Sequence, residues 1–360
     1  MIPGITTSFT KSPGTGGVIK HEPSDFIVQE ILIDGTVCSL EPETSHTPHT
    51  SEYTHFTLVK RDWNQDTVLK NIARLCGQSR KRLTYAGTKD KFALTSQRIA
   101  AWKLLPEQLA QVRIKDTTLG DFAPGVKKLD LGDLWGNRFT INIKNAEHPE
   151  NLGSKLKEIK KIGGIPNFFG EQRFGNRQNN HEVGKAIIDN DIETAIKIFL
   201  TEGEDTLPEG NEARKLLKEN WGSFNEALVK FPNYMRFEKA LLNHLVQHPS
   251  DYVGAFKKLS KNMYKIFTHS YQSYIFNQEL SEKIKNNESL EGAGTLPGYD
   301  NGRPEFKVKS FPEASCKGQP RKYLAEMKNL EHKVEDSTIT LKFDLEKGAY
   351  ATILLRAILE

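Results

Sequence analysis

Alternating apolar and polar positions mark the first half of the chain as strand-bearing. Over residues 52–60, Phe56 and Leu58 alternate with Thr57 and Val59, the two-residue period of a half-buried strand. The clearest case is 138–144, where Phe139, Ile141 and Ile143 share one face and Arg138, Thr140, Asn142 and Lys144 the other. Residues 24–30 alternate in the same way and predict a strand carrying Phe26, with shorter strands around 82–86 and 93–102. Between these runs the period lengthens to that of a helix. Val68, Leu69, Ile72 and Leu75 form an apolar stripe over 66–76, with Asp66 as its cap and Gly77 as its stop. Leu152, Leu156 and Ile159 predict a second helix ending at Gly163-Gly164. Strands packed under helices make an α+β layer arrangement.

Beyond Pro166 the pattern is almost wholly helical, over 181–200, 211–230, 236–248 and 269–287. Strand-like segments return only at 305–310, 337–345 and 349–356, the last of them apolar and holding Tyr350. A helix-rich stretch between two β-containing parts reads as one domain inserted into another. No internal repeat or low-complexity tract interrupts this plan.

Composition narrows the class. A chain of 360 residues, 37% hydrophobic and 27% charged, suits one large or two ordinary globular domains with a polar surface. No stretch approaches the roughly 18 apolar residues of a membrane span, and Met1-Ile2-Pro3-Gly4 begins no signal peptide. Cys38, Cys76 and Cys316 are odd in number and far apart, which argues against a disulfide framework or zinc site and fits a reducing cytoplasm. The net charge of +4 is mild, but it is unevenly spread. Basic clusters at 74–91, at Lys155, Lys157, Lys160 and Lys161, and at Lys257, Lys258, Lys261 and Lys265 contrast with an acidic turn at 202–205. Local positive stripes are what a phosphate-bearing partner requires.

Conventional catalytic motifs are missing from the sequence. Pro13-Gly14-Thr15-Gly16-Gly17 lacks the Gly-Lys-Ser/Thr of a phosphate loop and reads as a turn into a strand carrying Lys20. His244 and His248 stand four apart but lack a third ligand, and His46 and His49 lie in a loop-like stretch. No nucleophile elbow or Cys-His arrangement appears.

One run carries chemistry. Thr84-Tyr85-Ala86-Gly87-Thr88-Lys89-Asp90-Lys91-Phe92-Ala93-Leu94-Thr95-Ser96-Gln97 places a single carboxylate in a field of positive charge. From Arg74 to Lys91 six basic residues face Asp90 alone, a net of +5. Read by itself, Asp90 is an ion-pair partner on a solvated surface or a catalytic acid. Each flanking lysine, at roughly 7 Å in an effective dielectric near 20, attracts that carboxylate by about 2 kcal/mol.

The same run resembles the signature of the tRNA pseudouridine synthase D (TruD) family, Ala-Gly-x-Lys-Asp followed by Ala-x-Thr-x-Gln. Here it is met by Ala86, Gly87, Lys89, Asp90, Ala93, Thr95 and Gln97. Other family blocks follow in order: Pro23-Ser24-Asp25-Phe26-Ile27-Val28, Gly136-Asn137-Arg138-Phe139, and Pro166-Asn167-Phe168-Phe169-Gly170-Glu171-Gln172-Arg173-Phe174-Gly175. Then come His269-Ser270-Tyr271-Gln272-Ser273-Tyr274-Ile275-Phe276-Asn277 and Gly348-Ala349-Tyr350-Ala351-Thr352.

The resemblance implies an α+β pseudouridine synthase domain with a mixed or antiparallel sheet, from 1–165 plus 310–360, interrupted by an inserted helix-rich TRUD domain at 166–309. It implies isomerisation of uridine to pseudouridine in tRNA, at position 13 of the D arm, with Asp90 as nucleophile and the target base flipped out. Such a reaction needs no cofactor, metal or nucleotide, and its partner is tRNA rather than a membrane. Phe26, Asn137, Phe139 and Tyr350 would converge on the uridine, joined by Lys20 and Lys89 in substrate binding. Tyr350 stands where phenylalanine is commoner, and Phe168 where tyrosine is expected. Arg80, Lys81 and Arg82, with Arg173 and Arg177 further on, are candidate phosphate contacts. A second reading keeps the scaffold as an RNA-binding or RNA-folding protein, with other RNA substrates open.

Overall fold

The computed structural model describes residues 2–360. The chain divides into two compact units. One joins Thr10–Ile165 to Ala325–Glu360; the other joins the N-terminal segment through Phe9 to Pro166–Leu324.

The first unit is built on an eight-stranded mixed sheet. Its strands are β1 (Phe26–Ile31), β2 (Tyr53–Arg61), β3 (Leu83–Tyr85), β4 (Leu94–Trp102), β5 (Thr117–Gly125), β6 (Gly136–Ile143), β7 (Met327–Glu335) and β8 (Thr338–Glu346). They lie in the order β7-β8-β6-β1-β4-β2-β5, with β3 on β4. The β1–β4 pair is parallel, in register Ile27 to Leu94, whereas β1–β6, β6–β8 and β2–β4 are antiparallel. Helix α1 (Gln65–Leu75) lays Val68, Leu69 and Ile72 against Phe56 and Leu58 of β2 and Ile99 and Ala101 of β4. Asn64, not Asp66, caps it by accepting from the Thr67 amide at 3.1 Å, which leaves Asp66 to pair with Lys70 and Arg80. Helix α2 is Leu152–Ile162, closed by Gly163 at φ +86°. Lys155, counted in a basic surface cluster, is buried there and donates to Thr10 Oγ1 at 3.0 Å; burial lowers its pKa.

The second unit is helical: α3 (Asn180–Ile188), α4 (Ile192–Thr201), α5 (Pro208–Glu219), α6 (Phe224–Lys230), α7 (Arg236–Gln247) and the 25-residue α8 (Lys261–Lys285), with an antiparallel strand pair of Ala293–Leu296 and Gln319–Lys322. The two longest apolar periods, 181–200 and 211–230, each break once. Asn190 takes a left-handed φ of 60° after α3, and Gly222 one of 105° after α5. Three further expectations fail. Residues 305–310 hold a short turn at Pro304–Phe306 rather than a strand. The apolar run 349–356 is helix α9 (Ala351–Leu359), which buries Ile353, Leu354, Leu355 and Ile358 on more than one face; an unbroken apolar run has no period to tell strand from helix. Lys20 follows a single bridge at Val18–Lys144 instead of lying in a strand. Among the described residues no helix is long and apolar enough to cross a membrane.

Candidate active site

The Ala86–Ala93 connection between β3 and β4 is irregular, and its backbone is fixed by three side chains and one main-chain amide. Gly87 O accepts from Gln65 Nε2 on α1 at 3.3 Å and from Gln97 Nε2 on β4 at 3.2 Å. The Lys89 amide donates to Gln65 Oε1 at 2.6 Å. Lys60 on β2 donates from Nζ to the backbone carbonyl of Asp90 at 2.5 Å. The amide of Gly132, in the loop entering β6, donates to Ala86 O at 2.8 Å. A side chain at Gly87 would begin 3.2 Å from the Lys89 ammonium, so the missing Cβ permits this packing.

Beneath the loop lies a buried ion pair. Lys89 Nζ stands 2.5 Å from Glu30 Oε2 of β1, with side chains only 3% and 0% exposed. The other oxygen, Glu30 Oε1, accepts from the Arg98 amide at 3.1 Å. Lys89 is thus held by Glu30 under the loop. The Asp90 carboxylate pairs with Lys20, whose Nζ lies 2.7 Å from Oδ2, both side chains being about a quarter exposed (27% and 28%). Lys20 holds a left-handed φ of 58°. Its ammonium also sits 4.1 Å from the centre of the Phe26 ring, a cation–π contact.

Behind this cation the rings continue inward. Phe26 meets Phe139 edge-on at 6.1 Å, and Phe139 stacks on Phe343 of β8 at 5.4 Å. Phe26 and Phe139 are buried. Asn137 pairs in register with Glu30 on β1 and Leu345 on β8. Its Oδ1 is buried with no hydrogen-bond partner among the described residues. Tyr350, at the N-cap of α9, is half-buried. The segment before it is tied to the loop entering β6, since Lys347 donates from its amide to Trp135 O at 2.9 Å and from Nζ to Gly132 O at 2.7 Å.

The basic residues separate into different roles. Ser79 caps the short turn of Arg80, Lys81 and Arg82. Arg80 is held by Asp66 at 3.1 Å and donates to Leu83 O at 2.6 Å; Arg82 lies over Trp102 at 5.1 Å. Lys81 is exposed. In the helical unit, Arg173 stands over the Phe169 ring at 5.1 Å. Arg177 is different: it donates to Phe199 O at 2.9 Å and Glu202 O at 2.7 Å, and burial pushes its pKa down to about 10. A guanidinium bound to carbonyls in this way serves as a structural clamp.

Lys60, Glu30, Gln65 and Phe343 were not among the residues singled out from sequence. For two of them a signal existed. Lys60 continues the face of Thr54, Phe56 and Leu58, and Glu30 that of Phe26 and Val28; all of these positions are buried. A charge on the apolar stripe of a strand is a charge that needs a partner.

The chain is similar to known proteins along nearly its whole length. The sequence profile described as tRNA pseudouridine synthase D (TruD) matches residues 3–295 and 302–358. A relative from Methanopyrus kandleri bearing the name tRNA pseudouridine synthase D is 37% identical over 342 residues, 85% of each chain. One from Methanosarcina mazei is 33% identical over 98% of this chain and 95% of its own. A crystal structure under the TruD name from Methanosarcina mazei superposes with a TM-score of 0.79 at 32% identity, covering 99% of this chain and 96% of that one.

Proposed function

We propose, from the premise that this chain belongs to the tRNA pseudouridine synthase D family, that it converts uridine 13 of tRNA to pseudouridine with Asp90 as the nucleophile. Membership makes it a pseudouridine synthase, an isomerase acting on tRNA. The position in the tRNA, the acid and the base flipping are our reading.

In that reaction the bond from ribose C1′ to uracil N1 breaks, the base turns, and C1′ bonds to C5, which gives up its proton while N1 gains one. Nothing is oxidised and no group enters or leaves, so the requirement is a carboxylate held beside the sugar. The observation that carries the assignment is the treatment of Asp90. Its main chain is fixed by Lys60 and its carboxylate is aimed by Lys20 at 2.7 Å, yet about a quarter of the side chain stays open to solvent. An acid serving only as a surface ion-pair partner needs no such framework.

The target base must leave its stack, at a cost of a few kcal/mol. Stacking on an aromatic ring offsets about 1–3 kcal/mol. Phe26 and Phe139 are largely covered, so in this reading they back the site, and the more open Tyr350 takes the uracil face. The unpartnered Asn137 Oδ1 is an acceptor suited to a uracil N–H. Arg80, Lys81, Arg82 and Arg173 remain as phosphate contacts.

The deciding experiment incubates wild type and Asp90→Ala with unmodified tRNA and maps pseudouridine by carbodiimide primer extension. Wild type should mark position 13 and the variant should mark nothing while still binding tRNA. Modification by Asp90→Ala removes the acid from the mechanism. A wild type that binds tRNA and modifies none of it returns the chain to the RNA-binding reading.

A further inference from the structure

Lys60 is fully buried on β2, on the face that also buries Thr54, Phe56 and Leu58. An ammonium in that position is costly unless it is compensated, and a leucine or methionine would fill the site without the cost. Its hydrogen bond ends on the backbone carbonyl of Asp90, at 2.5 Å. Gln65, Gln97 and the Lys89–Glu30 pair fix the loop at Gly87 and Lys89. Lys60 fixes it at the acid itself, while Lys20 takes the carboxylate. Two lysines thus hold the two ends of one residue.

We infer that Lys60 is a positioning residue for the isomerisation: its buried ammonium grips the main chain of Asp90 and sets the reach of the carboxylate toward the sugar. The inference rests on Asp90 being the nucleophile. A bond from a charged donor is roughly twice as strong as one from a neutral amine, so the grip weakens when the proton leaves. Burial pushes the Lys60 pKa down to about 8, with Lys89 lowering it further and Asp90 and Asp62 opposing that shift. Lys89 and Asp90 face it from the loop, with Glu30 of β1 paired to Lys89; Asp62 lies just past the end of β2. Its register partners on β4 and β5, Thr95 and Thr117, do not ionise in this range. The grip should therefore slacken just above neutral pH, far below the usual lysine range.

The test measures single-turnover pseudouridine formation in saturating tRNA from pH 6.5 to 9.5. It uses wild type, Lys60→Met, Lys60→Arg and Asp90→Ala, each checked by melting temperature and tRNA affinity. Wild type should fall to a lower plateau with a midpoint near pH 8. Lys60→Met should bind tRNA within about threefold of wild type, react about 10- to 100-fold more slowly at pH 7, and lose the step. Lys60→Arg, charged throughout, should also lose the step but react faster than Lys60→Met. A Lys60→Met enzyme with the wild-type rate, or one that keeps the step, overturns the inference while leaving Asp90 untouched. Activity in Asp90→Ala overturns the reading of the nucleophile instead. Should neither Lys60 variant fold, the wild-type profile decides alone, and a flat rate across pH 7–9.5 sinks the proposal.

Discussion

Replacing Glu30 by glutamine isolates the buried charge under the Ala86–Ala93 loop. The substitution keeps the shape and an acceptor for the Arg98 amide, but leaves the Lys89 ammonium, 3% exposed, without its counter-ion. Removing one partner of a buried pair costs about 3–5 kcal/mol, because the remaining charge stays desolvated. The retained amide oxygen still accepts a hydrogen bond, so the lower end, about 3 kcal/mol, is expected. In a unit of this size that lowers the melting temperature by roughly 6–12 °C. Differential scanning calorimetry of wild type, Glu30→Gln, Lys89→Met and the double variant Glu30→Met/Lys89→Met measures it. The double variant should recover most of the loss, since an apolar pair of similar volume removes both desolvated charges. A shift under 2 °C for Glu30→Gln, or a double variant no better than the singles, would refute the claim that desolvation dominates here.

Two further outcomes are expected. Lys81→Ala should weaken tRNA binding uniformly and reduce the slope of log affinity against log salt by about one, measured by filter binding from 50 to 300 mM salt; an unchanged slope removes Lys81 from the phosphate contacts. In the helical unit, His181 stacks on Tyr274 at 4.6 Å, and burial lowers its pKa to about 4. The unfolded chain takes up that proton first, so the stability it supports is intact above about pH 6.5 and is lost as pH falls toward 4. His181→Phe keeps the stack and drops the proton. Between pH 7 and 4.5 it should lose about 2–3 kcal/mol less stability than wild type in urea melts, and equal losses would contradict the assignment.

Sequence periodicity reveals elements whose two faces differ. Residues 138–144 and the α1 stripe were legible because one face meets the core and the other meets water. Ala351–Leu359 was misread because nearly every side is covered, and Met327–Glu335 went unnoticed because most of its positions are exposed. The site divides along similar lines. Asp90 and its run could be found from the motif, and the buried charges Lys60 and Glu30 from strand alternation. Which lysine reaches the carboxylate was not legible: Lys89 is adjacent in sequence, yet Lys20, seventy residues earlier, makes the contact. That choice depends on β1 and β4 lying side by side, a pairing that local spacing does not encode.

The segment ending at Phe9 has a consequence for how the molecule is made. Thr6 bonds to Ser281, 275 positions later, and Thr10 to Ala357, 347 positions later. At ribosomal speeds of about 5–20 residues per second, the opening residues wait roughly 15–70 s for these partners to be synthesised. Neither unit can thus finish folding during most of translation, and residues 6–10 must stay available until their distant partners are made.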